Sequence, residues 1–176
     1  LQFYFKAYMQ LIKINKARYR RHLKRIIAGC IVGLAIGSLG LSQLLIVFFP
    51  DEGGSHFHWN LLGVVVTSVS IAWLLNKYRH HDFMTEVVYV WELKQTLNKI
   101  NRKMMKLKVA GDEGNSSALL AMHYYYGGSS LLWQLDDNTL LMGELATKQT
   151  ELESLAKTFN LVLNSDEYKE QDLKQF

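Results

Sequence analysis

Residues 26–49 read IIAGCIVGLAIGSLGLSQLLIVFF, a run of 24 residues without a formal charge. As an α-helix the run would be roughly 36 Å long, enough to cross a bilayer with some tilt. A second apolar run, residues 57–75, would be about 28 Å long. The polar loop, residues 50–60, joins the two runs and overlaps the start of the second. This pattern predicts an all-α membrane protein in which residues 26–75 form a two-helix transmembrane hairpin.

Both outer ends of the predicted hairpin are basic, whereas its loop contains no Lys or Arg. Residues 13–25 carry seven Lys or Arg and no acid, and residues 77–108 carry eight basic residues against three acidic ones. Because positive charge is retained on the cytoplasmic side, we expect both termini there and the loop on the opposite side. The same rule accounts for the net charge of +4. We therefore expect a lipid bilayer and no nucleic acid as partner.

Small residues recur along both predicted spans. Such residues permit two membrane helices to approach closely. In an antiparallel hairpin, Gly33, Gly37 and Gly40 would lie opposite Ser70, Thr67 and Gly63 respectively, so we expect this face to pack within one chain. The alternative is packing of the glycines against a neighbouring subunit. The predicted helix-packing residues are Gly29, Gly33, Gly37, Gly40, Gly63, Thr67 and Ser70.

The remaining chain predicts helices on the cytoplasmic side. Residues 1–25 form a basic segment, either an amphipathic helix lying at the headgroups or an irregular stretch. We predict that residues 83–163 form an antiparallel bundle of about three helices. A break at His80–Asp82 is predicted between the second span and the first helix of the bundle. The third helix is predicted to begin after the turn at 136–139 and to run to about Leu163, and residues 164–176 to form a fraying polar tail. A spacing of three and four residues predicts a buried seam in the first helix: Val90, Leu93, Leu97, Ile100, Met104 and Leu107.

The bundle also has unequal charge along the chain. Residues 111–176 carry eleven acids and four lysines, whereas the helix around 94–108 is basic. We predict that these parts pack together with ion pairs at their rims. Because each exposed pair contributes only ~0–1 kcal/mol, apolar burial must still dominate the stability.

Several polar residues are candidate site residues by type, but a structural role explains each of them better. His56 and His58 with Asp51 and Glu52 resemble metal ligands by type, but a solvated loop explains them better. The same holds for the basic cluster His80-His81-Asp82, and for His123 beside three tyrosines. Cys30 is the only cysteine, so no intrachain disulfide can form. We predict no catalytic, cofactor or metal site, and no enzyme activity.

Three stretches resemble a domain-of-unknown-function family of bacterial inner-membrane proteins. They are Tyr19-Arg20-Arg21-His22-Leu23-Lys24-Arg25, Phe57-His58-Trp59-Asn60-Leu61-Leu62-Gly63 and Leu135-Asp136-Asp137-Asn138-Thr139. The resemblance covers nearly the whole chain from about Met9. It implies a multi-pass protein of the bacterial inner membrane, and it supplies no activity and no functional residues.

Two functions fit these predictions. The first is an interaction protein, whose membrane anchor holds a cytoplasmic helical bundle that binds a protein partner or copies of itself. The second is a small oligomeric channel, because the layout resembles, in topology only, that of the large-conductance mechanosensitive channel family. The cytoplasmic part here is much larger than in that family.

Overall fold

The computed structural model describes residues 10–49, 56–138 and 142–176, and these residues form helices and no strand. The chain divides into two compact units. We call Lys16–Val88 the hairpin unit, and residues 10–15 with 89–176 the bundle unit. The six α-helices are α1 (Lys16–Phe48), α2 (Phe57–Lys77), α3 (Thr85–Arg102), α4 (Met104–Asp112), α5 (Ser116–Leu135) and α6 (Met142–Thr158). The all-α prediction is confirmed.

Helices α1 and α2 form the hairpin unit together with the turn that follows α2. Helix α1 starts at Lys16 and continues without interruption to Phe48. Residues 16–25 are therefore continuous with the apolar run rather than a separate helix, because no Pro or Gly separates Lys16 from Ile26 and basic residues are good helix formers. Most of the predicted loop, residues 50–55, lies outside the described residues, while Phe57–Asn60 belong to α2 rather than to the loop.

Helices α1 and α2 are both long and apolar enough to span a membrane. Their contact with each other covers only a narrow strip, so their other faces present large apolar side chains outward. Ile36, Leu39 and Val47 are 69%, 65% and 73% exposed. This outer surface has the composition of a protein interior without being covered by the chain itself.

A turn separates α2 from α3, as the sequence predicts. Helix α2 ends at Lys77 and α3 begins at Thr85. Between them, the His81 N–H donates to the Tyr78 carbonyl at 2.9 Å, and the Met84 N–H donates to the His81 carbonyl at 2.7 Å. The predicted break at His80–Asp82 is thus confirmed.

Helix α5 is the centre of the bundle unit. It carries no charged residue, and ten of its residues are buried, as expected for a helix that is surrounded by other elements. Asn115 caps its start, with its side-chain oxygen accepting from the Ala118 N–H at 3.1 Å. In the described residues the bundle unit contains four α-helices where about three are predicted, because the first is divided at Lys103 into α3 and α4.

The end of the chain differs from the sequence prediction. Helix α6 ends at Thr158 and not near Leu163, since Asn160 adopts a left-handed conformation with φ of 56°. As a result Val162 is 94% exposed and does not pack into the core. The predicted start of this helix, with Thr139 and Leu141, lies outside the described residues.

Residues 164–176 are packed rather than frayed. They form two short 3-10 turns, Ser165–Glu167 and Glu170–Gln175. Tyr168 and Leu173 are 3% and 4% exposed. Two buried apolar side chains thus attach a tail whose other residues are mostly polar.

Candidate functional site

Helices α1 and α2 meet at two glycines that leave no room for a side chain. A Cβ atom on Gly37 would lie 2.6 Å from Thr67 Cγ2, and one on Gly63 would lie 2.8 Å from the Ser38 main-chain oxygen. Real Cβ atoms do not approach other atoms this closely, so glycine at both positions sets the distance between the helices. The pairing of Gly37 with Thr67 is the one that the sequence predicts.

The other predicted pairs are shifted or absent. A Cβ on Gly33 would lie 3.7 Å from Ile71 Cδ1 rather than against Ser70. Ser70 is exposed, and its hydroxyl donates to the Val66 carbonyl within its own helix at 2.8 Å. A Cβ on Gly29 or Gly40 would meet nothing within 4 Å. Two of the four glycines predicted on α1 are therefore outside the hairpin contact.

Two serines that the sequence analysis did not select complete the contact. Ser38 and Ser42 are buried, and Ser42 Oγ is among the atoms nearest to a Cβ on Gly63. Ser42 Oγ also lies 3.4 Å from the Trp59 carbonyl oxygen of α2. The signal was present in the sequence, because Ser38 and Ser42 have the same four-residue spacing as the glycines.

The predicted seam lies mostly in the core of the bundle unit. Its buried members are Val90, Leu93, Leu97, Ile100 and Leu107. Met104 is only half-buried, because the helix is interrupted one residue before it at Lys103. The seam contacts α5 closely: a Cβ on Gly128 would lie 2.9 Å from a Leu97 methyl group and 3.3 Å from one of Leu93. Gly128 thus permits a close approach of α3 to α5.

The tail attaches to α5 through two stacked tyrosines. The rings of Tyr124 and Tyr168 lie 4.4 Å apart at an angle of 24°. Both hydroxyl groups are buried without a protein hydrogen-bond partner among the described residues. Burial raises the pKa of both phenols, so they are neutral at physiological pH and act as large packing groups.

Basic side chains of α3 and of the residue between α3 and α4 contact the outer edge of the tail. Lys99 Nζ lies 2.6 Å from Glu170 Oε1, and Lys103 Nζ donates to the Leu173 carbonyl at 2.6 Å. A further pair, Lys94 with Asp136, joins α3 to the end of α5 at 3.3 Å. The predicted matching of the basic helix with the acidic part of the chain is confirmed.

His123 connects α5, α6 and the tail. Its Nδ1 lies 3.0 Å from Ser165 Oγ, and its Nε2 lies 3.7 Å from Glu153 Oε1. Burial lowers the pKa of His123, and the nearby Glu153 carboxylate only partly opposes this effect. The imidazole is therefore mostly neutral near pH 7; it hydrogen-bonds to Ser165 of the tail and lies beside the Glu153 carboxylate of α6.

The segment before α1 belongs to the bundle unit. Tyr89 Oη accepts a hydrogen bond from the Ile12 N–H at 2.8 Å and donates one to the Gln10 carbonyl at 3.0 Å. A Cβ on Gly127 would lie 3.0 Å from a Leu11 methyl group. Residues 10–15 thus have no regular secondary structure and pack against Tyr89 and Gly127, whereas residues 16–25 are helical, so each part of the described N-terminal segment matches a different one of the two forms considered from the sequence.

A shallow groove runs between α3 and α5. Its floor includes Leu97 and Leu132, and the Tyr125 hydroxyl donates to Asn101 Oδ1 across it at 3.2 Å. The walls of the groove mix amide, hydroxyl, ammonium and indole groups. The remaining lining residues are Lys94, Asn98, Ser129 and Trp133.

Candidate metal ligands are not brought together in the part of the chain that the structure describes. Within residues 10–49, 56–138 and 142–176, no group of three or more His, Cys, Asp or Glu side chains is placed to hold a metal ion. Asp51 and Glu52, considered above with His56 and His58, lie outside these ranges. The absence of catalytic and cofactor sites stays a prediction.

Comparison with known proteins gives one relationship. The chain matches the family described as "Protein of unknown function (DUF3087)" over residues 9–173. No match was found among curated proteins or among solved structures. The match extends from the segment before α1 through Leu173 of the tail, so it includes both units. The chain therefore belongs to the DUF3087 family, as its resemblance to a domain of unknown function suggested.

Proposed function

We propose that this protein anchors a folded helical unit to a membrane and presents that unit to a protein partner or to another copy of itself. The observation that carries the proposal is the uncovered apolar surface of α1 and α2. Large side chains such as Ile31, Ile36 and Leu39 are more than half exposed. Soluble monomers rarely expose contiguous apolar patches beyond a few hundred Å², so lipid is the natural environment of this surface.

The distribution of charge supports a membrane orientation. Basic residues occur in the first turns of α1 and at the end of α2, and the apolar residues lie between these ends. With positive charge retained inside, the loop would be outside, and the bundle unit and both termini would be cytoplasmic. The family resemblance supports the bacterial inner membrane as the compartment.

An interaction role for the bundle unit is supported by its construction. Its core is complete, with Leu93, Ile100 and Leu119 fully buried, so it does not need a partner to cover its centre. What it offers outward is the groove between α3 and α5, with an aromatic and amide lining. A peptide segment of a partner protein is the ligand that such a surface fits best.

Membrane orientation can be tested by cysteine labelling in whole cells. Cys30 is first replaced by Ser, and single cysteines are then introduced as Ser55→Cys or Val162→Cys; Val162 is 94% exposed. A membrane-impermeant maleimide should label position 55 in intact cells, and position 162 only after lysis. Labelling of position 162 in intact cells would contradict the proposed orientation, and release of the protein by alkaline carbonate would contradict the anchor.

The partner can be sought by purification in mild detergent from the native host. A groove variant, Asn98→Arg, should lose any protein that binds between α3 and α5, whereas Lys157→Gln on the exposed side of α6 should retain it. Retention of the partner by both variants would place its binding surface elsewhere.

A small oligomeric channel is the second candidate. Gly29 and Gly40 favour it, because their open surroundings would admit a helix of a neighbouring subunit. The hydroxyls of Ser38, Ser42 and Thr67 favour the anchor, because these residues are buried within the hairpin and not on an outer face that could line a pore. Tension-gated or steady conductance of the reconstituted protein would establish the channel and reject the simple anchor.

A further inference from the structure

The outer face of the first turns of α1 is strongly basic. Arg21, Lys24 and Arg25 are exposed, and their spacing places them within an arc of about 100° on one side of the helix. They directly precede the apolar run that starts at Ile26. We call these three residues the basic face.

The opposite side of the same turns is occupied by the chain itself. Tyr19 is 3% exposed, and the His22 ring stacks on Phe83 with the ring centres 4.2 Å apart. Because these contacts fix the rotation of α1, the basic face points away from the turn after α2 and toward the surroundings of the hairpin.

The end of α2 adds a cation at a matching depth. Gly33 lies opposite Ile71 and Gly37 opposite Thr67. If this antiparallel pairing is extended to the end of α2, Lys77 lies at the level of Ile27. This level is close to the level of Arg25. Lys77 Nζ lies 4.9 Å from the centre of the Trp73 ring, and Trp is enriched at the boundary between lipid tails and headgroups.

We propose that the basic face, together with Lys77, binds the phosphate groups of anionic phospholipids. Guanidinium groups bind phosphate oxygens through paired N–H donors, and an ammonium group supplies a compact positive charge. The apolar residues that follow would contact the acyl chains of the same lipid, which a nucleic acid or a free phosphate could not provide. The inference rests on the proposed membrane anchor, and it adds selectivity among lipids to that function.

The experiment measures lipid selectivity of the full chain. Protein in detergent is mixed with phosphatidylglycerol and phosphatidylcholine of identical acyl chains, and the bound lipids are counted by native mass spectrometry. The triple variant Arg21→Gln, Lys24→Gln, Arg25→Gln is compared with a control of equal charge, Lys108→Gln, Lys157→Gln, Lys174→Gln, whose three positions are exposed in the bundle unit. Circular dichroism checks that both variants remain helical.

We expect the wild type and the control to prefer phosphatidylglycerol. Each basic residue near an anionic membrane surface contributes roughly five-fold, so the triple variant should lose the preference by at least about ten-fold. Equal binding of both lipids by the wild type, or an equal loss in the control, would overturn the proposal. Displacement of phosphatidylglycerol by inorganic phosphate at equal concentration would also overturn it, and would indicate a soluble phosphate ligand.

A separate flotation assay with phosphatidylcholine vesicles keeps the two claims distinguishable. Membrane insertion without lipid preference would reject only the headgroup site, whereas failure of the protein to float would reject the anchor on which that site rests. For the triple variant we expect flotation equal to that of the wild type, because the apolar surfaces of α1 and α2 are unchanged. Loss of flotation in this variant would mean that the basic face acts in insertion rather than in lipid selection.

Discussion

A disulfide between positions 37 and 67 should form within one chain. The test chain carries Cys30→Ser, Gly37→Cys and Thr67→Cys. A Cβ atom on Gly37 would lie 3.6 Å from Thr67 Cβ, inside the range of about 3.5–4.5 Å that disulfides require. The substitution Thr67→Cys also removes the methyl group nearest to the new Cβ. Because the loop closed is about 30 residues long, the bond should stabilise the folded hairpin by up to ~3.7 kcal/mol on the chain-entropy account.

The assay is oxidation in mild detergent followed by non-reducing electrophoresis and peptide mass spectrometry. Intrachain bonding should be nearly complete and independent of protein concentration. A matched control combines Gly40→Cys with Thr67→Cys, since a Cβ on Gly40 would meet nothing within 4 Å, and it should oxidise slowly. Covalent dimers and higher ladders from the 37/67 pair, or equal intrachain oxidation in the control, would refute the packing of this face within one chain.

The hairpin was predictable from the sequence, but the path of its contact was not. Long uncharged runs determine the helices, and a short loop determines that they are antiparallel. The spacing of small residues predicts a contact that runs through Gly33, Gly37 and Gly40 of α1. In the structure the contact moves from Gly33 and Gly37 to Ser38 and Ser42, so Gly40 leaves it. The angle at which the two helices cross depends on the side-chain volumes of both helices. The spacing of small residues along one helix therefore does not predict it.

The bundle was predictable where apolar residues repeat and unpredictable where they are isolated. Leu93, Leu97 and Ile100 follow a helical spacing and are buried as expected. Tyr168 and Leu173 are single apolar residues in a polar tail. Tyr168 is buried by stacking on Tyr124, and the tail around Leu173 is held by Lys99 and Lys103, which are 71 and 70 positions away from the residues they contact. The sequence also does not predict the early end of α6. The left-handed residue that ends a helix is usually glycine, whereas here Asn160 adopts this conformation.

Three further predictions test the packing described above. Gly63→Ala should destabilise the hairpin by about 1–3 kcal/mol through overpacking, measured by steric trapping, whereas Gly40→Ala should not; equal effects would refute the contact. Tyr168→Ala should lower the free energy of unfolding, measured in urea, by about 3 kcal/mol. The control Val162→Ala should change it by less than about 0.5 kcal/mol. A smaller loss for Tyr168→Ala would mean that the packing of the tail adds little to stability. The last prediction concerns His123, whose pKa burial holds below its ordinary value of 6.5. The unfolded chain therefore binds this proton more readily than the folded one, so the free energy of unfolding should fall as the pH is lowered through 6.5 toward the folded pKa. Urea titrations between about pH 8 and pH 5 should show this loss in the wild type and a flatter profile in His123→Gln; identical profiles would show that the link from His123 to the tail and α6 is not what makes the fold sensitive to acid.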